Sequence, residues 1–64
     1  MAEKIKSPFP MSFHDFNVLV NVRKLKMREA NLYAGIYEQQ DGTTIKVRFD
    51  IKENKVYLER GKLT

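Results

Sequence analysis

Residues 41–60 read DGTTIKVRFDIKENKVYLER, and this stretch decides the fold. Ile45, Val47, Phe49 and Ile51 alternate with Lys46, Arg48 and Asp50. Successive side chains of an extended chain point to opposite faces, so this pattern predicts a strand with one buried face. Val56 and Leu58 alternate in the same way with Lys55, Tyr57 and Glu59. The polar run Lys52–Lys55 between them holds Asn54, a residue that tolerates positive φ, and it predicts a hairpin loop. A four-residue loop sets Ile51 against Val56, Phe49 against Leu58 and Arg48 against Glu59. Upstream, Asp41-Gly42 is a two-residue hairpin signal, because both central positions of a type I′ turn need positive φ. Pairing Gln40 with Thr43 then sets Ile36 against Val47, Ala34 against Phe49 and Leu32 against Ile51. Each apolar residue meets an apolar partner, and a slip of one residue would turn the whole set to the other face. Residues 31–60 therefore predict a three-stranded antiparallel meander.

The segment before it, Ser12–Met27, supports two structures. As a strand, Phe16, Val18, Val20 and Val22 alternate with Asn17, Leu19, Asn21 and Arg23, and the valines favour extended chain. Leu25 and Met27 continue with the opposite parity, which a β-bulge near Arg23-Lys24 would absorb. A tight turn around Arg28–Asn31 then sets Met27 against Leu32 and Leu25 against Ala34. As a helix, Ser12 is the N-cap with Asp15 three residues on, and Phe13, Phe16, Val20 and Met27 share a face. The fold expected is mainly β: a small antiparallel meander of four strands, over 16–27, 31–40, 43–51 and 55–60, curled or barrel-like. The alternative is α+β, with a helix over 12–27 packed on a three-stranded sheet.

Residues 1–11 contain Pro8 and Pro10 and predict an extended N-terminal arm ahead of a single small domain over 12–64. Phe9, Met11 and Phe13 are apolar enough to fold back over an open end of the sheet. A sheet with one apolar face must cover it, by curling, by a lid or by pairing as a homodimer.

The chain has 64 residues, which sets a ceiling of one small domain. It contains no cysteine, so disulfides and thiolate metal sites are excluded. A single histidine leaves little to build a metal centre from, and no cofactor is expected. The three glycines do not form a phosphate-binding loop. His14 and Asp15 are adjacent, with Ser12 as the nearest hydroxyl, which is a poor basis for nucleophilic catalysis. An enzyme is not expected. No apolar run reaches the ~20 residues of a membrane span, and no basic and apolar leader opens the chain, so a cytoplasmic, intracellular protein is expected.

The charge is distributed unevenly. Lys4 and Lys6 balance Glu3 and Asp15, and residues 29–64 also sum to zero. The whole net charge of +4 therefore lies in Arg23, Lys24, Lys26 and Arg28. A cluster of like charges at a sheet edge suits a phosphate backbone or an acidic protein. It also suits an edge guarded against aggregation by lysines. The expected outward sheet face adds Tyr33, Tyr37, Lys46, Arg48 and Tyr57, rings interleaved with cations that could stack bases or hold phosphates. Asp50 and Glu59 on the same face oppose that use. The function expected is a small basic binding module that contacts nucleic acid, or a nucleoprotein machine, through residues 23–28 and the Tyr/Lys/Arg face. The rival expectation is a protein-interaction module, an inhibitor or accessory subunit docking on an acidic protein.

Overall fold

The computed structural model describes residues 8–64. Residues 1–7 of the expected arm lie outside the described residues. One helix, α1 (Phe13–Arg23), precedes four strands: β1 (Lys26–Ala30), β2 (Ala34–Glu38), β3 (Thr44–Asp50) and β4 (Lys55–Arg60). The strands form one antiparallel sheet in the order β1-β2-β3-β4. The mainly β meander is therefore present, as is a helix like that of the alternative. The sheet is open rather than barrel-like, since α1 covers part of its apolar face.

The first strand differs most from its expected span of 16–27. Ser12 caps a helix instead, its hydroxyl accepting from the Asp15 amide at 3.1 Å. The helix ends at Lys24, which adopts the left-handed conformation (φ 52°, ψ 49°). The Leu25 amide then donates back to the Val20 carbonyl at 3.0 Å, a Schellman-type closure that turns the buried Leu25 into the core. Strand propensity loses here because Phe13 and Phe16 gain aromatic partners on the sheet, while the exposed Val18 and Val22 carry little weight. The parity change expected near Arg23-Lys24 is thus a helix cap. The bulge lies later, where the β1–β2 register shifts between Met27 and Glu29. The turn expected around 28–31 also comes later. Asn31 makes it, its side-chain oxygen accepting from the Tyr33 and Ala34 amides at 2.7 and 2.9 Å.

All three hairpin registers differ from those expected: across β1 and β2, Met27 faces Tyr37 rather than Leu32, and Leu25 precedes the strand. In the β2–β3 hairpin, Gly35 faces Val47 and Tyr37 faces Ile45, while Ile36 faces Lys46 and Ala34 faces Arg48. The connection contains three residues, Gln40, Asp41 and Gly42, rather than two. Gln39 N–H donates to the Thr43 carbonyl at 2.8 Å, and Gly42 sits at φ 92°. Asp41 stabilises this wider turn by accepting from both the hydroxyl (2.7 Å) and the amide (3.0 Å) of Thr43. These bonds, the hydroxyl's first, hold the Asp41 carboxyl below its ordinary pKa. One extra turn residue reverses every β2 side chain, so Tyr37 enters the core and Ile36 leaves it. In the β3–β4 hairpin, Phe49 faces Val56, Val47 faces Leu58 and Arg48 faces Tyr57. That is a slip of two residues, which keeps the faces but frees Ile51 into the loop. Asn54 in that loop has the expected positive φ, at 57°.

The core comprises Met11, Phe16, Leu25, Tyr37, Ile45, Val47 and Val56. Phe16 is its hub, with ring centroids 5.2 Å from Tyr37, 6.1 Å from Phe49 and 6.2 Å from Phe9. Gly35 seats these rings: a Cβ there would stand 2.9 Å from Tyr37 Cε1 and 3.3 Å from Phe49 Cζ. The segment before α1 folds back as expected. Met11 exchanges backbone hydrogen bonds with Val56, at 3.1 and 2.6 Å, and so covers part of the β4 edge. The buried Gln39 ties down the other end, donating to Thr43 Oγ1 and the Lys62 carbonyl and accepting from the Thr64 amide.

Candidate interaction site

The basic residues do not form one patch. Arg23 closes α1, and its guanidinium donates to the Thr64 carbonyl. Lys24 is the left-handed cap. Lys26 opens β1 opposite Glu38, and Arg28, at the bulge, forms an ion pair with the same Glu38 at 3.4 Å. Two of the four cations are thus engaged within the molecule, and a third lies beside an acid. Opposite charges on adjacent strands attract modestly when exposed, so Glu38 dilutes this edge without neutralising it.

On the side of the sheet away from α1, a second group gathers. Lys46 lies opposite both Ile36 and Arg60. Arg48 lies opposite Tyr57, with its guanidinium carbon 4.7 Å from the ring centroid, a cation–π contact. Asp50 is paired with Lys55. Arg60 belongs to this group because the β3–β4 register shifts between Lys46 and Val47 and brings it opposite Lys46; strict alternation from Glu59 put it on the other face, so nothing in the sequence marked it. Tyr33 stands in the β1–β2 turn, 70% exposed. Tyr37 is absent from this face: it is 8% exposed, packed on Phe16, and burial raises its phenol above the ordinary pKa.

The other notable surface is apolar, and sequence reasoning missed it. A groove of about 720 Å³ runs beside α1 on the helix side of the sheet. Phe13, Phe16 and Val20 line it from the helix, and Tyr37 and Phe49 from the sheet. Its remaining apolar residues come from β1 and two turns: Met27, Leu32 and Ile51, which are 62%, 67% and 56% exposed. The expected registers placed all three in the core. Leu32 and Ile51 are free because Asn31 starts its turn before Leu32 and β3 stops at Asp50, whose carboxylate accepts from the Glu53 amide at 3.1 Å, and Met27 because it faces Tyr37 on the outermost strand. His14, Asn17 and Asn31 add polar groups to the groove. Its volume falls within the roughly 300–1,000 Å³ of ligand and peptide clefts.

This groove meets the sheet edge at β1. All five residues of β1 are exposed, and among the described residues it pairs only with β2. Alternate backbone N–H and C=O groups of such an edge strand point away from the sheet. The two edges therefore differ: among the described residues Met11 covers part of β4, while β1 lies open beside an apolar cleft. Among the described residues, no three His, Asp or Glu side chains come together as a metal site, and no helix is long and apolar enough to cross a membrane. Comparison with known proteins finds no family model, no curated protein and no solved structure that matches this chain.

Proposed function

We propose that this chain is a small protein-interaction module that docks through the open β1 edge and the groove beside it. The observation that carries this is the coincidence of a strand with one open edge and three apolar side chains more than half exposed on the same groove, Met27, Leu32 and Ile51. Exposed apolar surface is costly in water and an open strand edge is a template for pairing, so a partner strand covers the first and uses the second. The cations of residues 23–28 favour an acidic partner and speed its encounter.

A nucleic-acid reading draws support from a different place. Lys46, Arg48, Arg60 and Tyr57 form a cationic group with a ring on the far side of the sheet. It is the weaker reading. Tyr37 is not on that face, and Arg48 already stacks on Tyr57.

The test is affinity capture after exhaustive nuclease treatment, with the native chain and the Met27→Asp and Leu32→Asp variants in parallel. Both side chains are exposed, so the variants should fold; circular dichroism checks this. We expect one stoichiometric protein to be retained by the native chain and lost, by tenfold or more, with either variant. Retention that vanishes with nuclease, or that ignores both substitutions, contradicts the proposal.

A further inference from the structure

We infer that the occupant of the β1 edge is an extended acidic segment of a partner protein, which adds to the sheet as a fifth strand. This rests on the docking reading above and specifies its chemistry. Three features of the edge select the occupant.

First, the open backbone of β1 calls for an extended chain, since only a strand satisfies a strand edge along its length. The molecule already uses this mode once, where the Met11 backbone pairs with Val56 on the opposite edge. Second, the two faces of β1 differ. Met27, opposite Tyr37, lies on the groove side, whereas Lys26, opposite Glu38, Arg28, paired with Glu38, and Glu29, opposite Ile36, lie on the other; with Lys24 just ahead of the strand, the Lys26 end of that side is the cationic one. A strand laid against β1 sends alternate side chains to these two sides. Its groove-side residues must therefore be apolar, and those beside Lys26 and Arg28 acidic. Third, the edge disfavours the simplest rival, a second copy of this chain, because the bulge between Met27 and Glu29 interrupts the flat edge that self-pairing prefers.

The segment so defined alternates apolar and acidic residues over about five to seven positions, the length that a five-residue strand can pair. Directly opposed charges on neighbouring strands change affinity by up to about fivefold per pair, so two such pairs discriminate an acidic from a basic segment by up to about 25-fold.

The experiment uses the full 64-residue chain, labelled with 15N, and four probes. The first is the heptapeptide Glu-Val-Glu-Ile-Glu-Val-Glu. The second carries Lys in place of every Glu. The third is a pair of N-methylated forms of the first, one methylated on the Glu amides and one on the Val and Ile amides. The fourth is a twenty-residue oligothymidylate. In a β-strand, alternate amides point to opposite edges, so only one methylated form can block pairing. We expect the acidic peptide to bind and to shift the amides of residues 26–30 and of α1. The basic peptide should bind at least tenfold more weakly. One methylated form should lose tenfold or more, while the other binds like its parent.

Equal binding of both methylated forms would overturn strand addition while leaving side-chain docking in the groove. Equal binding of the acidic and basic peptides would overturn the acidic specificity. If no peptide binds but Met27→Asp still abolishes capture of a partner, this inference fails and the docking reading survives. If only the oligothymidylate binds, both fail.

Discussion

Lys24 holds a conformation that its side chain does not favour. The chain has four described residues at positive φ: Gly42, Gly61, Asn54 and Lys24. The first three are residue types suited to that region, and Lys24 is not. Replacing it with glycine should stabilise the fold by about 0.5–1 kcal/mol, read as a higher urea midpoint with an unchanged slope. A lower midpoint would mean that the cap is not left-handed. Tyr37 offers a second test at this scale. Burial raises its folded pKa, so the unfolded chain releases the phenolic proton first. Its contribution is therefore complete below the ordinary tyrosine value near 10 and is lost as pH rises through the higher folded value. Tyr37→Phe keeps the ring against Phe16. We expect it to leave neutral-pH stability nearly unchanged and to lessen the fall in urea midpoint above about pH 10. An identical alkaline profile in the variant would place Tyr37 outside the core.

At the scale of elements, the turns decide which residues face the core. The alternation of 45–51 and 56–58 was legible in the sequence, as were the meander, the polar loop at Asn54 and the fold-back of Phe9–Phe13. The registers were not. Asp41-Gly42 fits a two-residue turn by composition, yet the Thr43 hydroxyl and amide bind Asp41 in a three-residue turn. That difference moves Tyr37 from the expected binding face into the core and leaves Ile36 opposite Lys46. Apolar pairing alone could not reveal this, since β2 carries apolar residues on both faces: Ala34 and Ile36 on one, Gly35 and Tyr37 on the other. Gly35 holds the physical reason for the observed choice. Its missing side chain lets the rings of Tyr37 and Phe49 approach the sheet, so Gly35→Ala should cost about 1–3 kcal/mol as the wedged rings are displaced. Under the register expected from a two-residue turn, residue 35 would lie on the outer face and the same change would be nearly neutral. A denaturant titration of this variant therefore tests the register. The ambiguity of residues 12–27 has a similar origin: the valines favoured a strand, but the Ser12 cap and the partners of Phe13 and Phe16 lie outside what local propensity weighs.

For the whole molecule, the site legible in the sequence was only part of the one the fold assembles. The concentration of charge in residues 23–28 was visible, and those residues do adjoin the open edge. Their apolar companions were hidden, because Met27, Leu32 and Ile51 read as core until the turns released them. The two broad surfaces of the molecule thus make opposite claims. The helix-side groove with β1 is an apolar cleft beside an open strand edge, and the far side is a cationic sheet around Arg48 and Tyr57. The most direct test is to place a photocrosslinking residue, p-benzoylphenylalanine, at position 27 in one variant and at position 46 in another, and to irradiate both in the cells that make the protein. The docking account predicts a discrete, nuclease-resistant protein adduct from position 27 and none from position 46. Adducts from position 46 alone, or adducts that nuclease removes, would contradict it and assign function to the far face.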